Sequence, residues 1–474
     1  MSGCRNLAGK GMEMKTKRHN CLVLVLLITV VVGYGCAHYP VNQPLAAAKS
    51  EWTRAKETDE IAVLLAFSGG GTRAAAFSYG VLEELADTKV TIKGTERRLL
   101  DEVAVISSVS GGSFTAAYYG LFGDRIFTDF ETKFLKKNVQ SDLISRAFFN
   151  PVSWIRFASP YFDRSDLAAE YYDEHIFEKG TFGDMARRGG PGILINATDM
   201  VSGLRVDFTT EMFDLICSDL MNYPVARAVA ASSAVPGVLT PITLRNYAGT
   251  CNYKPPQSME TIPDTADITD RRSWILKNAI PFLDSNRKKY VHLLDGGIAD
   301  NLGLRAIMDR IALSDGKFAK SMEGTPVEYL KNMNKFVFII VNAQTEPGSS
   351  WDRKGSTPTK DAVIDSYSTI AIARYNIETL ALWRESIKGW SDQLRALRCT
   401  NGQQPDNRSC EDIQFYVIYI NFEALRDEKE REYFNQIPTS FHLEPEQIDK
   451  LRVAARKILR QSKEFERFLN DSRN

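Results

Sequence analysis

Between Asp101 and Gly120 the sequence reads DEVAVISSVSGGSFTAAYYG, an apolar run, a turn crowded with serine and glycine, and a second run suited to a helix. A hydroxyl held at such a strand-to-helix turn can serve as a nucleophile for acyl transfer, because the tight bend lifts the side chain clear of the sheet. The bend brings the residues two positions either side of the nucleophile almost into contact, so both must be small. Gly112 meets that demand, and Ser108 stands where glycine is usual, adding only a hydroxymethyl group. Centring the turn on Ser108 instead puts Ile106 at the crowded position, and centring it on Ser113 loses the preceding strand. Ser110 is therefore the candidate nucleophile, although the turn by itself also fits an ordinary strand–helix connection.

Two further stretches could complete that chemistry. In AFSGGGTRAAAF, residues 66–77, Gly69, Gly70 and Gly71 follow an apolar run and open a helical one. Backbone N–H groups bared by glycine at a helix N-terminus can hold an anion, either a phosphate or the oxyanion of a tetrahedral acyl intermediate. The phosphate reading lacks its GK[ST] ending and its GxGxxG spacing; a close strand–helix contact is the plainer alternative. In HLLDGGIADNLG, residues 292–303, Asp295 ends an apolar run before two glycines, where its carboxylate could accept the serine proton or simply cap a turn. Of the histidines beyond residue 36, namely His38, His175, His292 and His442, none has the loop setting of a triad member. A hydrolase built from this chain would have to run on Ser110 and Asp295 alone.

The elements that must position these residues are legible as short β-rich apolar runs alternating with helical patterns. Strands are expected at 61–67, 103–107, 192–199, 289–295, 335–343 and 414–422, with helices between them, among them SDLAAEYYDEHIF from Ser165. Such alternation predicts a mainly parallel sheet covered on both faces, with the site at the carboxyl ends of its strands. The polar, proline-containing segment 246–287 reads as an insertion or lid-like excursion. At 474 residues, with 44% hydrophobic and 25% charged residues, the chain has ample core. Lys plus Arg equals Asp plus Glu at 59 each, so bulk charge gives no pointer to nucleic acid.

Taken in order, SGGGTR, SVSGG and DGG resemble the glycine-rich loop, nucleophile elbow and aspartate motif of the patatin-like phospholipase family. The block ASSAVPGVLTPI, residues 231–242, resembles that family's small-residue and proline segment. The resemblance spans about residues 60–345. It implies a three-layer α/β/α patatin-like fold with a largely helical C-terminal extension, and a lipid acyl hydrolase that needs neither metal nor cofactor. Carried over by position, Ser110 is the nucleophile, Asp295 the general base, and Gly69, Gly70 and Gly71 the oxyanion hole. Arg73 then positions the loop or attracts a phosphate headgroup. Two residues depart from the pattern, Ala74 and Ser108, both small. The alternative is an inactive lipid-binding or scaffold lipoprotein with the same fold. Substrate would come from a membrane, and RAFFNPVSWIRFASPYF, residues 146–162, could touch one or could equally form core.

The N-terminal region reads as an export leader: a basic segment, an apolar run from Cys21 to Val32, and small residues before Cys36. Gly35–Cys36 resembles a bacterial lipobox, with Gly33 where an apolar residue is usual. The expected organisation is a signal peptide over 1–35 (with a start at Met14 giving a normal basic region), a lipidated Cys36 and tether over 36–59, a catalytic domain over 60–345, and an extension over 346–474 packed on the core. Ala37 after the cysteine points, by resemblance to Gram-negative lipoproteins, to the outer membrane facing the periplasm. In that oxidising compartment Cys399 and Cys410 form the local pair, leaving Cys217 with Cys251; four independent thiols are the alternative. Zinc-ligand spacing is missing.

Overall fold

The computed structural model describes residues 42–47, 60–256, 259, 262, 267, 269–313, 333–345, 355–400 and 413–473. Its strands are β1 (Ile61–Phe67), β2 (Lys89–Ile92), β3 (Thr95–Arg98), β4 (Val103–Val109) and β5 (Gly192–Asp199). After them come β6 (Arg205–Asp207), β7 (Ile242–Arg245), β8 (Tyr290–Asp295), β9 (Lys335–Val341) and β10 (Gln414–Ile420). The main sheet runs β10-β9-β1-β4-β5-β8-β7, with β6 beside β5. From β10 through β5 every pairing is parallel, whereas β8 and β7 complete the sheet antiparallel.

A strand apolar on both faces has to be covered on both. In β1 the alternate residues Ile61, Val63, Leu65 and Phe67 enter one core, while Ala62 and Ala66 enter another. The larger core is covered by α1 (Gly71–Asp87), α2 (Gly111–Phe122), α5 (Arg164–His175), α6 (Val225–Ser232) and α9 (Pro445–Gln461). Between α2 and α5, after a run of short helical turns over 123–135, come the helices α3 (Val139–Phe149) and α4 (Pro151–Phe157). The opposite face is covered by the segment from Leu302 to Ile311 and by α8 (Lys360–Thr400), whose Trp383 and Trp390 pack edge to face. The result is a three-layer α/β/α fold with a mainly parallel central sheet.

Sequence reading missed the β2–β3 hairpin and the short strands β6 and β7, none of which has an apolar run long enough to stand out. Helix α5 starts one residue earlier than expected, because Asp163 and Asp166 form a capping box, while the Ser165 hydroxyl turns to the Thr240 carbonyl. The described parts of segment 246–287 are pinned rather than free to lift. The Asn246 amide donates to the Phe282 and Lys288 carbonyls, and a helix, α7 (Arg271–Ala279), is tied by Arg271 to Asp309 at 2.6 Å. Cys217 and Cys251 are joined as a buried disulfide. The expected Cys399–Cys410 pairing, Cys36 and the segment read as a leader fall outside the described residues. Among the described residues no helix is long and apolar enough to cross a membrane, and no His/Cys/Asp/Glu group could hold a metal ion.

Candidate active site

Three strand ends converge. β1 delivers the glycine loop, its parallel neighbour β4 delivers Ser110, and β8 delivers Asp295 against Ala197 of β5. Ser110 sits between β4 and α2 with φ 48° and ψ −118°, a conformation L-residues rarely adopt. Holding a non-glycine residue there costs of order 1–3 kcal/mol, and such strain collects at functional sites. The turn is as crowded as an elbow must be. A Cβ on Gly112 would lie 2.7 Å from both the Phe67 Cβ and the Ser68 carbonyl oxygen, and one on Gly111 would collide with the Gly71 carbonyl. Gly111 thus lets the glycine loop rest directly against the elbow. Ser108 is fully buried, and its hydroxyl donates to the Leu194 carbonyl at 3.1 Å, which gives the unusual residue a satisfied place.

Asp295 is 7% exposed. Its Oδ1 accepts the Gly297 N–H at 2.8 Å, whereas Oδ2 is buried with no hydrogen-bond partner. Burial pushes the carboxyl up to about 6, opposed by the Gly297 N–H and the neighbouring Ser110 hydroxyl. Raised in this way, the carboxylate is a better proton acceptor than an exposed aspartate. No histidine joins the pair among the described residues. His292 faces Thr243 at 2.9 Å, His175 lies beside Arg146, and His442 lies beside Glu444.

The glycine loop differs in detail from its expected role. The Gly69 N–H is already spent on the Asn301 carbonyl at 3.1 Å, and the Thr72 N–H on the Ser440 carbonyl at 2.9 Å. That leaves the Gly70 and Gly71 N–H groups, which open α1 and so have no acceptor a turn earlier. Both glycines have positive φ, 140° and 60°. Arg73 is 3% exposed and donates to the Ala343 carbonyl at 2.8 Å, the Ile437 carbonyl at 2.5 Å and the Thr439 hydroxyl at 3.0 Å. Its guanidinium is enclosed by protein acceptors, so of its two expected roles loop positioning fits and headgroup attraction does not.

Three residues that sequence reading passed over bind the site together. Ser232, within the small-residue block, accepts the Ser110 N–H at 2.8 Å and donates to the Asn196 carbonyl at 2.6 Å. Asn196 in turn donates to the Ser107 hydroxyl and the Ser108 carbonyl, both at 3.0 Å. Asn301 wedges its side chain between loop and aspartate turn, where its Oδ1 would stand 2.6 Å from a Cβ on Gly69 and 3.1 Å from one on Gly297. A polar residue inside the apolar strand GILINATD was the available signal for Asn196, since a buried amide needs partners.

Residues 65–308, which carry all three motifs, match the family model of the patatin-like phospholipases. The chain belongs to the patatin-like phospholipase family. Among solved structures it is similar to the human GIVD cytosolic phospholipase A2, at 12% sequence identity and a TM-score of 0.43. That likeness covers 87% of this chain but 62% of the other, so the chain spans under two thirds of its neighbour's length. No curated protein matches the sequence. The patatin-like region thus contains the elbow, the glycine loop and the aspartate turn, whereas β9, β10 and α9 lie beyond it.

Proposed function

We propose that the chain is a serine lipid acyl hydrolase that cleaves fatty-acyl esters, of phospholipid or lysophospholipid type, through an acyl-enzyme on Ser110. Asp295 takes the Ser110 proton as the oxygen attacks the ester carbonyl carbon. The Gly70 and Gly71 N–H groups stabilise the resulting oxyanion, a donor arrangement in which each hydrogen bond contributes about 2.7–4 kcal/mol. Asp295 then returns the proton to the departing alcohol. Water, deprotonated by the same carboxylate, releases the fatty acid. Arg73 acts at one remove, holding the loop in place. The reading extends to an export leader, acylation at Cys36 and an outer-membrane location facing the periplasm.

One observation carries the reading: a serine strained into an elbow conformation, with its hydroxyl beside a buried carboxylate. A fluorophosphonate probe should label the wild-type protein on Ser110 and leave Ser110→Ala unlabelled. Ester turnover should vanish with the label and should survive EDTA. Labelling that persists in Ser110→Ala would remove Ser110 as the nucleophile.

A further inference from the structure

Seven of the 21 large apolar side chains that stand exposed among the described residues fall between residues 144 and 161, too dense a cluster for scattered surface apolarity. Six ride on α3 and α4, and the seventh, Tyr161, follows α4. Phe148, Phe149, Val152, Trp154, Ile155 and Tyr161 are 51–80% exposed. The underside of this helical hairpin is fixed, with Ser153 and Phe162 buried and the Arg156 guanidinium stacked 3.7 Å over the Phe162 ring. These aromatics therefore do not belong to the core, which was one of the two roles open to them from sequence.

Three features say what the hairpin meets. Its cations are already engaged: Arg146 with Glu174 at 3.2 Å and Arg156 with Glu170 at 2.7 Å, so apolar groups rather than uncompensated charge dominate the exposed face. Its helix starts are satisfied internally, because Asn138 accepts the Ser141 N–H and Asn150 accepts the Val152 N–H, which lowers the cost of leaving bulk water. Trp154 and Tyr161 pair an apolar ring with a polar tip, the combination that favours the headgroup level of a bilayer. The hairpin also leads back to the site. Just past Tyr161, Arg164 bonds the Gly237 carbonyl at 3.3 Å and Ser165 bonds Thr240. Gly237 lies five residues beyond Ser232, the partner of the Ser110 N–H. Val238 and Ile298, the latter three residues after Asp295, are exposed as well, at 59% and 46%.

We propose that the α3–α4 hairpin is a membrane-docking surface, which seats its exposed aromatic and aliphatic side chains in the interfacial layer of a phospholipid bilayer and presents the Ser110 site to the lipids there. The proposal rests on the lipid-ester reading above. Because the hairpin's cations are internally paired, docking is driven by apolar burial and is insensitive to salt.

The test uses the full chain with Cys36→Ser, so that no acyl anchor is present, and phosphatidylcholine vesicles. Phe149→Ser/Trp154→Ser should weaken co-sedimentation with vesicles and slow hydrolysis of vesicle lipid by about tenfold or more. Fluorophosphonate labelling of Ser110 and turnover of soluble p-nitrophenyl butyrate should stay at wild-type rates. Wild-type binding should be the same in about 0.1 M and about 0.5 M NaCl. A double variant that binds and hydrolyses vesicles like wild type would overturn the proposal, as would wild-type binding that collapses with salt. A concentration-dependent dimer that the double variant abolishes, with vesicle binding untouched, would assign the face to a second copy instead. Wild-type protein that turns over neither substrate, yet docks on vesicles through the hairpin, would sink the hydrolase reading and leave the surface standing.

Discussion

As the proposed general base, Asp295 has to be ionised to take the Ser110 proton, yet burial raises its carboxyl from 3.8 to about 6. The two demands give activity and stability opposite pH dependences. Turnover should rise through pH 5–7 with a midpoint near 6 and stay level above it, so a kcat/KM profile with its acid limb near pH 4 would show that another group controls the reaction. For stability the sign is reversed. The unfolded carboxyl ionises near 3.8 and the folded one near 6, so folding is progressively opposed as the pH climbs through that window. Full ionisation costs about 3 kcal/mol at pH 8 and nothing below about pH 3.5. Asp295→Asn should therefore abolish esterase activity while raising the melting temperature at pH 8, with the gain fading by pH 4. A variant no more stable at pH 8 than wild type would refute the buried, unpaired charge. A stability cost at a catalytic carboxylate is what a functional role predicts and a structural cap does not.

Between elements, the site depends on a few hydrogen bonds crossing from one strand or helix to the next. Ser232 at the end of α6 holds the Ser110 N–H, and its own carbonyl accepts the Gly296 N–H. Ser232→Ala keeps the second bond but removes the first, along with the hydroxyl's bonds to the Asn196 carbonyl and the Ser113 hydroxyl, and strands the buried Ser110 N–H, a loss of about 1–3 kcal/mol. Fluorophosphonate labelling should slow by about tenfold, because the strained turn is less firmly held, while the fold persists by far-UV circular dichroism. Unchanged labelling would show that the elbow holds itself. These cross-links explain what the sequence did and did not disclose. The strands β1, β4, β5 and β9 were readable because runs such as IAVLLAF are apolar on both faces and too short for helices. Ser110 and Asp295 were readable because each ends such a run before glycines. That the Gly69 N–H is consumed and Arg73 enclosed was not readable, since their partners Asn301, Ala343, Ile437 and Thr439 are more than 200 residues away in the chain. The strands β6 and β7 depend on their neighbours rather than on any pattern of their own.

Over the whole molecule, the family match and the folding unit do not coincide. The match ends at residue 308, but β1 at the sheet's centre is paired on one side with β4 and on the other with β9, and β9 is covered in turn by β10. Helix α1 is roofed by α9, so closely at Gly80 that a Cβ there would lie 2.5 Å from the Arg452 carbonyl oxygen. Beneath that roof, the segment between Ile437 and Ser440 supplies acceptors to Arg73 and Thr72, the residues that set the glycine loop. Cutting the chain after Asn435 would leave a buried guanidinium with one named acceptor out of three and would expose the apolar face of α1. Stripping hydrogen-bond partners from a buried charge costs several kcal/mol, a large part of a domain's 5–15 kcal/mol. A fragment ending at Asn435 should accumulate as insoluble protein, and any soluble fraction should fail to label with fluorophosphonate although Ser110 and Asp295 are both present. Soluble fragment that labels at the full-chain rate would show the C-terminal segment to be an accessory. The expected failure would show instead that the glycine loop is held by residues about 370 positions downstream of it.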